Sequence, residues 1–131
     1  MNTTPHRILV VDDDPAIRDL LVDLLSAEGY ETHQASGGWD MICAMARVRP
    51  NLILLDVVMA EMDGLEACRV IKRRTQRFRD VRVVLMSAAY ATEATKRVIC
   101  HENGADDFLC KPGDMGRLIG RVAELLTAQA A

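Results

Sequence analysis

A fivefold alternation of short apolar runs with longer amphipathic segments is the feature that most constrains the fold. The short runs predict strands, which we place at Arg7–Val11, Glu31–Ala35, Leu52–Leu55, Val81–Met86 and Asp107–Cys110. The first is rich in β-branched residues, whereas the second is weak and polar, as expected of a strand at the edge of a sheet. The third run is continuously apolar, as expected of a strand covered on both faces. Strands that alternate with crossover helices form a parallel sheet with helices on both faces. The sequence therefore predicts an α/β fold built from five βα units.

The longer segments carry helix signals at their ends and apolar stripes along their length. Asp14 is placed to cap the first predicted helix, Pro15 suits its first position, and Gly29 suits its end. The residues predicted to face the core are Ile17, Leu20, Leu21, Leu24 and Leu25 in the first helix; Trp39, Ile42, Cys43 and Ala46 in the second; Leu65, Ala67, Cys68, Val70 and Ile71 in the third; Ala94, Val98 and Ile99 in the fourth; and Met115, Leu118, Ile119, Val122, Leu125 and Leu126 in the fifth. We expect a single domain over residues 1–131, with its core at 6–127.

The composition excludes several classes of protein. The chain has 131 residues, of which 50% are hydrophobic and 27% charged, an ordinary globular balance that argues against disorder. Its 16 basic and 19 acidic residues give a net charge of -3, so it lacks the positive field of a domain that binds nucleic acid or anionic membranes. No apolar run approaches the roughly 18 residues that span a bilayer, and residues 1–7 do not resemble a signal peptide. We therefore expect a cytoplasmic protein without a direct nucleic-acid or membrane partner.

Cysteines and basic residues suggest no additional site. The four cysteines are Cys43, Cys68, Cys100 and Cys110. They lack the short paired spacing of zinc or redox motifs, and their apolar neighbours favour reduced structural thiols. The basic run from Lys72 to Arg79 contains one aromatic residue, Phe78, and we interpret it as cations near a helix C-terminus rather than as a nucleic-acid surface.

Chemically distinctive side chains follow four of the five predicted strands. Asp12 and Asp13 follow the first strand, Asp56 the third, Ser87 the fourth and Lys111 the fifth. Because ligands bind at the carboxyl ends of parallel strands, we expect these side chains to converge at one edge of the sheet. Crowded carboxylates are tolerated where a hard cation neutralises them, which favours Mg2+ or Mn2+. A cation and Lys111 would stabilise phosphoryl oxygens, Ser87 would donate a hydrogen bond, and Asp56 is the candidate nucleophile.

Five segments of the chain resemble the receiver domain of two-component response regulators. They are Ile8–Pro15, Leu54–Met59, Met62–Gly64, Val84–Ala88 and Gly104–Pro112, in the family's order and at its spacing. The resemblance covers essentially the whole chain. It implies a three-layer, doubly wound (βα)5 fold of the flavodoxin-like, CheY-like type, with strand order 2-1-3-4-5.

The resemblance also implies a function and a metal site. Asp56 would accept a phosphoryl group from a histidine kinase or a histidine phosphotransfer protein, in a reaction that depends on Mg2+. Asp13, Asp56 and the backbone carbonyl of Val58 would hold the metal directly, and Asp12 would hold it through water. Ala60 departs from the family pattern, which commonly has proline there, without removing a ligand.

By the same resemblance, the phosphoryl group would act on the rest of the molecule through a switch. Ser87 and Lys111 would bind the phosphoryl oxygens, and Phe108 would occupy the aromatic switch position. Since Phe108 has no hydroxyl, its coupling to Ser87 must depend on packing of the ring. The signal would leave through the face formed by the fourth helix, fifth strand and fifth helix.

Charges on that face predict a chain that is mainly monomeric, with at most a weak dimer. Asp107 and Arg121 are of opposite sign, but Arg97 and Arg117 lie where the family would have a second pair of opposite charges. Like charges that face each other are unfavourable, so we expect this face to bind a different downstream protein.

The residues leave two other functions open. One is an interaction-only pseudo-receiver that is never phosphorylated, and the other is a Mg2+-dependent phosphohydrolase acting through an aspartyl phosphate. We favour a phosphoacceptor that is not an enzyme, apart from phosphorylating itself from small phosphodonors and losing the phosphate slowly. The sequence is compatible with a stand-alone receiver and with one cut from a longer protein.

Overall fold

The computed structural model describes residues 4–74, 80–89, 91–111 and 113–130. Residues 75–79 of the basic run and Pro112 of the last motif segment lie outside this description. The strands are β1 (Arg7–Val11), β2 (Glu31–Ala35), β3 (Leu52–Asp56), β4 (Arg82–Ser87) and β5 (Asp107–Cys110). The helices are α1 (Pro15–Ala27), α2 (Gly38–Val48), α3 (Gly64–Arg74), α4 (Glu93–Asn103) and α5 (Leu118–Ala130), and a short 3-10 helix, Met115–Arg117, precedes α5.

The five strands form one parallel sheet in the order β2-β1-β3-β4-β5, which confirms the predicted fold class and strand order. Successive strand residues point to opposite sides of the sheet and supply two separate cores. On one side, strand residues pack with α2, α3 and α4. On the other, they pack with α1 and α5. The central strand β3 is buried at every position, as its continuous apolar sequence predicts.

The N-terminus of α1 forms as the sequence predicts. The Asp14 side chain accepts a hydrogen bond from the backbone N–H of Ala16, and Pro15 takes the first helical position. The stripe on this helix is narrower than predicted, because Leu21 and Leu25 are buried whereas Leu20 and Leu24 are largely exposed.

The predicted core face of α2 is wrong except at Ile42, which is partly buried against the core. Met41, Ala44, Met45 and Val48 are buried, while Trp39 is 58% exposed and Cys43 and Ala46 also face outward. Both faces of this helix carry apolar residues, so periodicity alone cannot choose between them. The helix is rotated so that Gly38 lies against Met62, where an added Cβ would come within 2.7 Å of the Met62 sulfur.

The face of α4 also differs from the prediction, since Ala94 and Val98 are exposed and, of the three predicted residues, Ile99 alone packs on the core. The buried positions of this helix are polar: Lys96 and Asn103. The α5 stripe is confirmed, with Leu118, Val122, Leu125 and Leu126 buried.

All four cysteines are free thiols, as predicted, but they are not all core residues. Cys68 and Cys110 are buried, Cys100 is half-buried and Cys43 is exposed. Burial raises the pKa of Cys68 to about 12, so that thiol stays protonated. Among the described helices, none combines the length and the apolar character that crossing a bilayer requires.

Candidate functional site

The carboxyl ends of β1 and β3 bring three aspartates together. Asp12 and Asp13 directly follow β1, and Asp56 is the last residue of the adjacent β3. Each offers a carboxylate oxygen, and these oxygens all lie within 4.8 Å of one another. Asp12 is 1% exposed and Asp56 7%, whereas Asp13 is open to solvent. The cluster therefore has a buried floor and one accessible acid.

Lys111, just beyond β5, reaches across the edge of the sheet to this cluster. Its ammonium donates to Asp12 Oδ2 at 2.9 Å and to Asp56 Oδ1 at 3.4 Å. Its backbone N–H donates to the carbonyl of Ser87 at 2.7 Å, which ties the start of the following turn to the end of β4. The structure thus brings Asp12, Asp13, Asp56 and Lys111 into one constellation.

Ser87 is the last residue of β4 and is buried. In the sheet β4 lies next to β3, the strand that ends at Asp56. Its hydroxyl oxygen accepts a hydrogen bond from the N–H of Ala89 at 3.1 Å. This bond uses a lone pair of the oxygen, so the hydroxyl proton can be donated to another acceptor.

The electrostatics of the cluster are unbalanced, with three carboxylates and one ammonium among the described residues. Burial and the neighbouring charge of Asp12 raise the pKa of Asp56, and Lys111 opposes this rise. Burial alone would lower the pKa of Lys111, but its hydrogen bond to Asp12 and the charge of Asp56 raise it overall. The carboxyl group of Asp56 is therefore held in a position where an added cation would favour its ionised form.

The oxygen donors fit a hard divalent cation, which prefers carboxylate, carbonyl and water ligands. The oxygens of Asp12 are already engaged, Oδ1 by the N–H of Asp14 at 2.9 Å and Oδ2 by Lys111. Asp13 is the exposed acid and Asp56 the deeper one. This arrangement suits direct binding of the cation by Asp13 and Asp56, with Asp12 as an indirect ligand.

The loop after β3 is shaped by Gly64. Its N–H donates to the carbonyl of Val57 at 2.8 Å, and an added Cβ would lie 2.2 Å from the carbonyl oxygen of Asp56. Only glycine allows this approach, which presses the loop against the backbone of Asp56. Within this loop the backbone of Glu61 has a φ of 70°, and Val58 is 71% exposed.

Phe108 lies on β5 opposite Leu85 and is 5% exposed. Its ring belongs to the core that includes α2 and α3, with Ile99 and Cys100 of α4 packed against the same core. The structure therefore places the predicted switch residue beside α4, in the interior.

The outer surface of β5 and α5 carries a charged cleft of about 410 Å³. It is lined by Asp107, Arg117, Gly120, Arg121 and Glu124. Arg121 pairs with Asp107 at 2.6 Å and with Glu124 at 3.0 Å, so its charge is already matched within the chain.

Arg18 on α1 makes two contacts that the sequence does not predict. Its guanidinium donates to the backbone carbonyl of Asp12 at 2.6 Å and to the side chain of Gln34 at 3.1 Å. It thereby links the acidic loop to the edge strand β2. The only sequence signal is a cation one helical turn after the capping Asp14, which is a weak one.

Comparison with known proteins gives matches along nearly the whole chain. The family described as response regulator receiver domain matches residues 8–123. The DNA-binding response regulator MtrA of Mycolicibacterium smegmatis is 36% identical over 122 residues, which are 93% of this chain and 51% of that protein. The DNA-binding dual master transcriptional regulator RpaA of Synechocystis is 36% identical over 120 residues, 92% of this chain and 48% of its own. The chain spans about half the length of these curated relatives.

Solved structures give the same result at the level of the fold. A putative response regulator from Chloroflexus aurantiacus has a TM-score of 0.84 at 27% identity, covering 95% of this chain and 99% of its own. A CheY-like receiver domain protein from Methanospirillum hungatei has a TM-score of 0.83 at 29% identity, covering 97% and 98%.

Proposed function

The chain belongs to the receiver domain family of response regulators, and we propose that it is a phosphorylation-dependent switch whose phosphoacceptor is Asp56. The observation that carries the proposal is the placement of Asp56 at the end of the central strand, beside two further aspartates and within 3.4 Å of the Lys111 ammonium. Proteins of this family signal in two-component systems rather than turn over substrates.

The phosphoryl donor is a phosphohistidine on a histidine kinase or a histidine phosphotransfer protein. A carboxylate oxygen of Asp56 attacks phosphorus, the N–P bond breaks, and its electron pair returns to the imidazole nitrogen. Lys111 lies close enough to follow the developing charge on the phosphoryl oxygens. Ser87 donates its hydroxyl proton to one of these oxygens, since its recorded hydrogen bond uses it only as an acceptor.

Receiver domains bind Mg2+ at an acidic pocket, and the donor set here fits that ion. We assign Asp13, Asp56 and the Val58 carbonyl as direct ligands and Asp12 as a ligand through water. When bound, Mg2+ neutralises the repulsion between carboxylates and the charge of phosphoryl oxygens; Mn2+ would do the same. These residues would hold the ion, and Gly64 lets the loop that carries Val58 lie against the backbone of Asp56.

The signal passes from Ser87 to Phe108 and then to the face formed by α4, β5 and α5. The buried ring of Phe108 packs in the core that α4 contributes to, so a movement of Ser87 toward the phosphoryl group has a packed route to this surface. The partner is a downstream protein or output domain rather than nucleic acid or membrane. We propose a cytoplasmic location and a single receiver domain over residues 1–131, with its core at 6–127.

We propose that the phosphorylated domain is mainly monomeric. Arg121 and Asp107 already neutralise each other within one chain, and Arg97 and Arg117 would bring like charges together in a symmetric pair. Sedimentation equilibrium of the phosphorylated protein should give the mass of one chain. A tight dimer that buries this face would contradict the proposal.

Acetyl phosphate with Mg2+, followed by intact-mass measurement, separates the proposal from its alternatives. A switch gains one phosphoryl group per chain, and Asp56→Asn gains none. A pseudo-receiver gains no mass with the small donor or with a phosphorylated histidine protein. A phosphohydrolase consumes many equivalents of donor per chain without accumulating a stable phosphoprotein.

A further inference from the structure

Lys96 is a buried cation on α4, where the sequence predicts an apolar face. It is 6% exposed, and its ammonium pairs with Asp114 at 2.7 Å and with Glu93 at 3.1 Å. Lysine is rarely buried unless it is paired, because removing its charge from water is costly. These contacts raise the pKa of Lys96, chiefly through the hydrogen bond to Asp114, so it stays charged at neutral pH.

Asp114 uses the same carboxylate to close the turn that carries Lys111. Its Oδ2 accepts the backbone N–H of Cys110 at 2.8 Å, and its own N–H donates to the carbonyl of Cys110 at 2.8 Å. The hydrogen bond from Cys110, followed by that from Lys96, lowers the pKa of Asp114 and keeps it ionised. One oxygen atom thus joins α4 to the residue that immediately precedes Lys111.

We propose that the Lys96–Asp114 ion pair is a positioning device for Lys111, holding Asp114 against the backbone of Cys110 so that the Lys111 ammonium faces Asp56. The proposal rests on the role given to Lys111 under the proposed function. A lysine side chain has a long flexible stem, so the direction of its backbone decides where its ammonium spends its time. On one side Lys111 is fixed by its N–H bond to Ser87, and on the other by the turn that Asp114 closes.

The pair also gives α4 a direct connection to the site that does not pass through the core. A shift of α4 that lengthens the Lys96–Asp114 contact would release the carboxylate that closes the turn, and with it the orientation of Lys111. A protein that binds α4 would therefore alter phosphorylation at Asp56 through this link.

The test compares phosphorylation rate with metal affinity in matched variants. Asp114→Asn keeps an oxygen for the Cys110 N–H but loses the charge that Lys96 pairs with. We expect its rate constant with acetyl phosphate at saturating Mg2+ to fall about tenfold or more, because small misplacements of a catalytic group are costly. Its Mg2+ affinity by calorimetry should be unchanged, because the three metal-site aspartates are not touched. Lys96→Met combined with Asp114→Asn removes both charges, and it provides the same measurement if the single variant does not fold.

Asp106→Asn is the matched control. Like Asp114, Asp106 accepts a backbone N–H at 2.8 Å, from Val83, and pairs with a lysine, Lys72, at 3.6 Å. Its side chain is 19% exposed against 18% for Asp114, but it lies at the opposite end of the sheet. It should lose thermal stability and keep the wild-type phosphorylation rate, which separates positioning from general destabilisation.

Lys111→Ala distinguishes failure of this inference from failure of the proposed function. If Lys111 acts as proposed, Lys111→Ala is phosphorylated far more slowly, and adding Asp114→Asn costs nothing further. Wild-type rates in folded Asp114→Asn, or losses that multiply in the double variant, overturn the positioning role alone. Wild-type rates in Lys111→Ala overturn the role of Lys111 itself, and the positioning role with it.

Discussion

The two ends of the parallel sheet handle charge in opposite ways. At the amino end, Asp106 is surrounded by donors: the N–H of Val83 at 2.8 Å, the Arg82 guanidinium at 3.3 Å and the Lys72 ammonium at 3.6 Å. Two cations and one backbone N–H there contact the carboxylate of Asp106. This carboxylate is therefore stabilised by groups of the chain itself.

At the carboxyl end the ratio is inverted, since Lys111 is the one ammonium that the described residues place among Asp12, Asp13 and Asp56. Repulsion within such a cluster destabilises the metal-free fold, and an external cation relieves it. The contrast between the ends teaches that an excess of carboxylates over cations, more than charge itself, marks the functional end of the sheet. Substitutions at matched positions of the two ends should therefore have different consequences.

The largest difference should come from exchanging one acid at each end for its amide. Asp56→Asn should abolish phosphorylation by acetyl phosphate and by a phosphohistidine donor, because the nucleophile is lost. Asp106→Asn should still be phosphorylated but should lose about 1–3 kcal/mol of unfolding free energy, as a half-buried hydrogen-bonded charge is removed. Intact mass and thermal denaturation measure the two effects. Hydroxylamine-sensitive phosphate on Asp56→Asn would remove Asp56 from its assigned role.

The second difference lies within the carboxyl end, between the exposed Asp13 and the buried Asp12. Asp13→Asn should weaken Mg2+ binding more than Asp12→Asn, because a direct ligand is lost rather than one acting through water. Loss of an outer-shell partner typically costs about 10- to 100-fold in metal affinity, so we expect Asp12→Asn in this range and Asp13→Asn beyond it. Calorimetric titration measures both, with Asp106→Asn as the unaffected control. Equal losses would reverse the two assignments.

The sequence predicts the carboxyl end well for a physical reason. The apolar runs are short and sharply bounded, so each strand end is known to about one residue, and parallel topology brings those ends to one edge. Asp12, Asp13, Asp56 and Lys111 meet there as a direct consequence. Their chemical types then suggest a cation and a phosphoryl group before any distance is known.

Contacts made by long side chains and by helix rotation could not be predicted in this way. Arg18 and Lys96 reach partners outside their own helices through flexible stems, and the linear sequence does not identify those partners. In its observed rotation α2 places Gly38 against Met62, a residue of the loop between β3 and α3 that is distant in sequence. Because both faces of α2 are apolar, the burial of Met41 rather than Trp39 is decided by packing alone.

The third prediction concerns how long the carboxyl end keeps its phosphoryl group. Hydrolysis needs a water positioned in line with the Asp56–phosphorus bond, and Val58 and Ala89 flank that path in the receiver arrangement. Both are exposed, and neither side chain can hydrogen-bond a water. The native phosphoprotein should therefore be long-lived.

Val58→Asn combined with Ala89→Glu should shorten that lifetime by about tenfold or more, on the order of 1.4 kcal/mol of barrier. The loss of phosphoryl mass over time measures it, and Mg2+ affinity is the control, since position 58 would contribute only its backbone carbonyl. A native lifetime of seconds that the double substitution leaves unchanged would contradict this explanation.

The smallest expected effect is the dependence of metal-free stability on pH, and it tests directly whether the carboxyl end is strained by its own charge. Burial and Asp12 raise the pKa of Asp56 in the folded state above its value in the unfolded chain. Between these two pKa values the folded protein still holds a proton on the Asp56 carboxyl, whereas the unfolded chain has released it. Ionising Asp56 therefore lowers the free energy of unfolding as the pH rises through this range. Asp56→Asn should accordingly be more stable than wild type at neutral pH without Mg2+, and the advantage should shrink as the pH falls toward the unfolded pKa of about 3.9.

Denaturant unfolding of both proteins across this range isolates Asp56, since all other acids are common to the pair. Saturating Mg2+ should reverse the order, because wild type then gains binding energy that the variant lacks. Stability curves that run parallel, with no advantage for the variant at neutral pH, would show that ionised Asp56 costs the metal-free fold nothing.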